Sequence, residues 1–334
     1  MNNRRKLIVA LGGGALIAPL STFNVRAQQA SKVPRIGVLW HAGSEEEEAP
    51  FLNALRQGLS DFGFVDGQSI VLENRFPAEQ AERFNSFAVE LARLNPDVFV
   101  AVTPPAALAA QRATTTTPIV FINVADPVRI KLVDSLARPG GRITGLSHIG
   151  VDLMGKQLQL LREATGTLSR VAVLANPTNA TSHHQYVEAI EAAARTVKVT
   201  VGPVEMVNAP DKLEDAFASI TRAGAHGLIV LSDGLFYNER QRLAELALRY
   251  HLPAIFLPRQ FAEVGGLMSY GPNLASIFRR AGYLINRILK GTMPADLPVE
   301  QPTQFEMIIN LRTAKAMGLT IPQSLLLRAD KVIQ

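Results

Sequence analysis

DVFVAVTPPAALAAQRATTTTPIVFINV, residues 97–124, contains the pattern that decides the fold. Residues 97–103 and 118–124 are short apolar runs rich in Val and Ile, without polar alternation. Strands that are apolar on both faces belong to parallel sheets covered by helices. Between them, Thr103-Pro104-Pro105-Ala106 reads as a helix start. The same unit recurs in both directions. Upstream stand RIGVLW (35–40) and SIVLENRF (69–76), and downstream RITGLSHI (142–149), RVAVLAN (170–176) and VTVGPVEMV (199–207). GLIVLSD (227–233), AIFLP (254–258) and GLMSYG (266–271) complete the series. The intervening segments carry helical spacing. Phe51, Leu52, Leu55, Leu59 and Phe62 fall on one stripe, and Leu243, Leu246, Ala247 and Tyr250 on another. The clearest stripe is Leu274, Ile277, Phe278, Ala281, Leu284, Ile285, Ile288 and Leu289, stopped by Gly291. Alternation throughout predicts two doubly wound α/β domains with parallel sheets. The chain is expected to pass from one to the other near residues 147–152. The last long helix and QFEMIIN (304–310) read as a return and a second departure.

Residues 1–27, MNNRRKLIVALGGGALIAPLSTFNVRA, read as an export signal. Arg4, Arg5 and Lys6 form a basic head, residues 7–20 an apolar stretch, and Val25-Arg26-Ala27 a small-residue cleavage pattern. The apolar stretch is too short and glycine-rich to span a bilayer comfortably. The head fits either a twin-arginine or an ordinary Sec signal. A soluble product outside the cytoplasm is expected, where catalysis needing ATP or NAD is disfavoured. The 334 residues carry a formal charge of +5, but without the four cations of the signal, 30 basic residues face 29 acidic ones. Nucleic-acid binding therefore has no compositional support. There is no cysteine, which excludes disulfides, thiol nucleophiles and a lipid-anchored cysteine.

In open parallel sheets, ligands bind beyond the carboxyl ends of the strands. Those ends carry Trp40-His41, Thr103-Pro104-Pro105, residues 123–126, residues 176–178, residues 232–234 and Tyr270-Gly271. Thr103 and Pro104 open a helix whose positive end suits a carboxylate, and they read equally as an ordinary cap. Asp126 before Pro127 reads as a cap or a cleft residue. Asp233 ends an apolar strand and precedes Gly234, placing it as a partner for a ligand ammonium or as a turn. Trp40, Tyr237 and Tyr270 offer rings for stacking or for packing, and Asn123 and Asn176 complete the candidate ligand contacts. No catalytic residue, metal site or cofactor is expected. Gly145 to Gly150 lacks G-x-S-x-G spacing. His183-His184 are adjacent and point apart on a helix, unlike H-E-x-x-H. Glu45 to Glu48 read as solvated first-turn acids.

ADPVRIKLVDSLARPGGRITGLS (125–147) and EVGGLMSYGPNLASIFRRAGYLINRILKGTMPADLPVEQPTQFEMIINLRTAKAMGLTIPQSLLLRAD (263–330) are long, idiosyncratic strings. On them the chain resembles the ABC-transporter substrate-binding proteins that include tryptophan- and tyrosine-binding members. The resemblance implies a type I periplasmic-binding-protein fold, with two α/β lobes joined by a three-crossing hinge. Residues 33–147 with 272–303 would form one lobe, and 148–271 with 304–334 the other. It further implies a monomeric periplasmic protein that closes on a small-molecule solute. The solute, an amino acid or a carboxylate, would pass to a membrane permease and its ATPase. A ligand sensor and a secreted hydrolase are the alternatives.

Overall fold

The computed structural model describes residues 33–334, so the export signal expected over residues 1–27 lies outside the described residues. Strands β1 (Arg35–Leu39), β2 (Val71–Arg75), β3 (Val98–Val102), β4 (Ile119–Ala125) and β5 (Ile143–His148) form one sheet. Its order is β2-β1-β3-β4-β5, and every pairing is parallel. The second sheet comprises β6 (Arg170–Ala175), β7 (Thr200–Met206), β8 (Gly227–Val230), β9 (Ala254–Phe256), β10 (Met268–Pro272), β11 (Phe305–Asn310) and β12 (Lys331–Ile333). Its order is β12-β11-β10-β9-β8-β6-β7.

Helices α1 (Glu45–Ser60), α2 (Ala81–Arg93) and α3 (Thr103–Ala113) interleave with the first sheet. Helices α4 (Gly150–Thr165), α5 (Ala180–Val197), α6 (Leu213–Arg222), α7 (Gly234–Asn238), α8 (Arg240–Arg249) and α9 (Arg259–Glu263) accompany the second. After these come α10 (Leu274–Leu289), α11 (Leu311–Ala316) and α12 (Gln323–Leu326). The alternation read from sequence is thus an α/β fold of two largely parallel sheets. Strand β3, VFVAV, is buried along its whole length, as a central strand covered on both faces must be. One pairing departs from the parallel expectation. Strand β11 runs antiparallel to β10, with Met268 opposite Ile309 and Pro272 opposite Phe305.

Helix α10 follows β10 in sequence yet packs on α1 and on strands of the first sheet. Phe51, Leu52 and Leu55 bury against the stripe that includes Ile277, Phe278 and Ala281. The two helices cross where Gly58 faces Gly282. A Cβ on Gly58 would overlap the Arg279 carbonyl, and one on Gly282 would overlap the Gly58 backbone. Phe62, expected on the α1 stripe, lies beyond the helix end and is 40% exposed, because the chain turns after Ser60 before the next apolar position comes round. At the other end, Gly291 stops α10 with a φ of 91°.

The segment after α10 stays with the first sheet. Thr144 Oγ1 donates to the Leu297 carbonyl at 2.6 Å, Glu300 N–H donates to Gly145 O at 3.0 Å, and Ser147 N–H to Glu300 O at 2.9 Å. The chain therefore passes between the sheets three times: after β5, after β10, and between Glu300 and β11.

Candidate ligand-binding cavity

Parallel strands in one sheet all end on the same side, which gathers the loops following them. Here loops from both sheets surround one cavity. From the first sheet come His41 after β1, Glu79 after β2, Thr103 to Pro105 after β3, Asn123 on β4 and His148 ending β5. From the second come Ser232, Asp233 and Gly234 after β8, with Phe256 and Pro258 around the end of β9. Helices add Phe51, Tyr186, Tyr237, Phe261 and Phe278. Traced by the centre of a water-sized sphere, the space is about 80 Å³. A single water needs roughly 10–15 Å³ on that measure, so the cavity holds several non-hydrogen atoms.

Three residues of its wall are in the left-handed region without being glycine: Glu79 (φ 57°), Thr103 (φ 77°) and Asn123 (φ 60°). Such residues cost of order 1–3 kcal/mol each and cluster at functional sites. Helix α3 opens directly at the cavity with no side chain capping its first turn. Thr103 Oγ1 and Asn123 Oδ1 are buried without a hydrogen-bond partner among the described residues.

The charged cluster around His41 was not anticipated from sequence. The His41 ring is sandwiched between two carboxylates: Nε2 lies 3.2 Å from Glu48 Oε1 and Nδ1 2.9 Å from Glu79 Oε1. Burial acts to lower the His41 pKa, but the negative charges of Glu48, Glu79 and Asp233 outweigh it and raise the value to about 9. Its ring is therefore an imidazolium at neutral pH, donating to both carboxylates. Glu48 also accepts from Ala42 N–H at 3.1 Å and is wholly buried. Glu45, Glu46 and Glu47 are exposed as expected of first-turn acids, whereas Glu48 is a correction to that expectation. It stands three, four and seven residues before Phe51, Leu52 and Leu55, on the buried face. That periodicity was a signal available in the sequence.

Two further histidines of the lining are neutral. Burial lowers the His148 pKa to about 4, and its Nδ1 accepts from Gly150 N–H at 3.1 Å. His183 is lowered by burial against an opposing pull from Asp233. Its Nδ1 accepts from Asn176 N–H at 2.9 Å, which leaves the proton on Nε2 facing Ser232 O at 3.3 Å. Among the described residues, no cluster of His, Cys, Asp and Glu is arranged to hold a metal ion.

Of the residues singled out in the sequence, Thr103, Pro104, Asn123, Asp233 and Tyr237 line this cavity. Asp233 also caps α7, its Oδ1 accepting from Leu235 N–H and from Asn176 Nδ2, each at 2.9 Å. Asn176 thus stands behind Asp233 rather than on the wall. Tyr237 sets its ring 5.6 Å from that of Phe51, and burial pushes its pKa up to about 12. Trp40 is fully buried one layer back, stacked 5.7 Å from Phe278, with Nε1 donating to Asn74 Oδ1 at 2.9 Å. Asp126 caps a turn, accepting from Arg129 N–H and Nε, both at 3.1 Å. Tyr270 stacks on Phe305 at 6.3 Å, outside the cavity wall.

The sequence pattern of a family described as ABC transporter substrate binding protein matches residues 48–333. The chain belongs to that family. A tyrosine-binding protein from Clostridioides difficile (strain R20291) is 27% identical over 282 residues, which are 83% of this chain and 80% of that relative. A Streptococcus pneumonia ABC domain solved in complex with L-Trp superposes with a TM-score of 0.82 at 25% identity, covering 90% of this chain and 99% of that one. The ligand-free, open structure of CD0873 from Clostridium difficile gives 0.67 at 24% identity, covering 90% of this chain and all of that one. The fold is the type I periplasmic-binding-protein fold.

Proposed function

We propose that this substrate-binding protein is the periplasmic component of an ABC importer and that its solute is a zwitterionic amino acid with an aromatic side chain. The carrying observation is the polarity of the cavity. Its wall combines the carboxylates of Glu79 and Asp233, the open α3 terminus with the orphaned Thr103 hydroxyl, and the rings of Phe51, Phe256, Phe261, Phe278 and Tyr237. The α-carboxylate would take the N-terminal end of α3 and the Thr103 hydroxyl, and the ammonium would pair with Asp233 and Glu79. The stacking role expected of Trp40 and Tyr270 passes to Phe51, Phe278 and Tyr237, while Trp40 supports Phe278 from behind. Relatives named for tyrosine and bound to tryptophan favour the same ligand class.

On this reading, residues 33–147 with 272–303 form one lobe and 148–271 with 304–334 the other. Solute touches both only when they close, so it shifts the equilibrium by its differential affinity. The closer superposition on the tryptophan-bound relative than on the open one supports a closed arrangement here. The closed, loaded protein, a monomer, would dock on a membrane permease with its ATPase. Among the described residues no helix is long and apolar enough to cross a membrane.

Isothermal titration of the mature protein against the twenty amino acids, simple carboxylates and sugars tests the proposal. Binding of Trp, Tyr or Phe in preference to the rest is expected. Saturable binding of sugars alone, or turnover of any solute, would sink it.

A further inference from the structure

Gly234 opens α7 and its backbone has no need of glycine, since its φ is not positive. Alanine in a helical conformation ordinarily stabilises by restricting the unfolded chain. Space explains the glycine instead. A Cβ at residue 234 would overlap Glu79 Oε1 and crowd the rest of that carboxyl group. Gly234 follows β8 of the seven-stranded sheet, whereas Glu79 follows β2 of the five-stranded one. The two therefore touch across the cavity.

Glu79 is held there firmly. Ala78 and Glu79 are consecutive left-handed residues, with φ of 55° and 57°. Their N–H groups donate to Ala42 O and His41 O, each at 2.9 Å. The Glu79 carboxyl then takes the His41 ring at 2.9 Å. Loop, backbone and ring together present one oxygen to the bare Cα of Gly234.

We propose that Glu79 and Gly234 form the bite point of the cavity: the place where its two walls meet as it shuts, with glycine at 234 permitting the approach and so setting how tightly solute is enclosed. This rests on the reading that the walls close on a solute. Gly234 is then a positioning residue for binding, acting through closure.

The test is Gly234→Ala made in the wild-type and in the Glu79→Ala backgrounds, with L-tryptophan and L-tyrosine as probes. In the wild-type background the added methyl must push the Glu79 carboxyl off the His41 ring as the walls close. Because closure is obstructed, affinity is expected to fall at least about tenfold, while the ligand-free Tm, which reports the parted walls, does not fall. In the Glu79→Ala background the same substitution should change affinity by less than about twofold and raise the ligand-free Tm, as helix propensity predicts. Unchanged affinity with Glu79 present overturns the proposal.

A second measurement needs neither ligand nor the alanine variant. The chain has no cysteine of its own, so Glu79→Cys with Gly234→Cys gives a unique thiol pair, and a short bifunctional thiol linker should join it rapidly in the folded protein. Absence of linkage with and without solute overturns the bite point. If the wild type binds no amino acid, the functional reading fails on its own, while the cross-link still decides this one.

Discussion

His41 and His148 line the same cavity, are equally sealed from water, and have pKa values displaced in opposite directions, to about 9 and about 4. Burial disfavours the charged imidazole in both. His148 meets a backbone N–H and no carboxylate hydrogen bond, so burial decides its state. His41 meets Glu48 and Glu79 on its two nitrogens with Asp233 nearby, and the negative charges win. The same cavity thus holds one charged and one neutral imidazole. It also shows that a buried residue's role is set by what faces it.

The largest effect should follow from removing the charged imidazole. His41→Ala leaves Glu48 buried without its partner, which costs about 3–5 kcal/mol; denaturant unfolding at pH 7 would measure it. His148→Ala should cost visibly less, and equal losses would erase the contrast between the two histidines.

The pH dependence is next. The folded His41 pKa is raised, so its contribution is complete below the unfolded value near 6.5 and is lost as pH climbs through about 9. The folded His148 pKa is depressed, so its cost appears as pH falls from about 6.5 toward about 4. Each displacement corresponds to roughly 3 kcal/mol. Stability should peak near pH 6.5, with the alkaline slope vanishing in His41→Ala and the acid slope flattening in His148→Ala. A curve unchanged by either substitution would contradict the assignment.

Asp233→Asn sharpens the comparison through the ligand. Pairing with an enclosed ammonium is worth about 2 kcal/mol or more, so amino-acid affinity should fall roughly 30-fold or more, while a deaminated carboxylate analogue should lose little. Equal losses would remove the ammonium from Asp233. The smallest effect is Thr103→Val, about 1 kcal/mol, read as a fewfold weaker binding of any carboxylate-bearing solute with the Tm nearly unchanged.

Much of this was legible in the sequence, for reasons that can be traced to residues. Strand β3 is apolar at every position because both its faces are covered, and Thr103-Pro104-Pro105 marks a helix start because proline tolerates the first turn. Those two facts place an open helix end at the mouth of a parallel sheet. Asp233 was visible as the polar end of an apolar run. Glu48 and Glu79 escaped for different reasons. Glu48 was hidden in a run of four acids, although its phase with Phe51 and Leu55 marks it as buried. Glu79 sits in a loop whose conformation depends on hydrogen bonds to His41 and Ala42, and no local pattern reports those. Trp40, as the sole tryptophan, drew a ligand role from composition, but Phe278 from a helix more than two hundred residues away covers it.

Local patterning settled the α/β class, the strand and helix order and the end of the sheet at which a cavity opens, because periodicity, proline and glycine act over a few residues. Which side chains meet inside that cavity was decided by tertiary structure alone. Glu48, Glu79 and Asp233 come from three separate loops or helices, and only their convergence on His41 turns an ordinary imidazole into a buried cation.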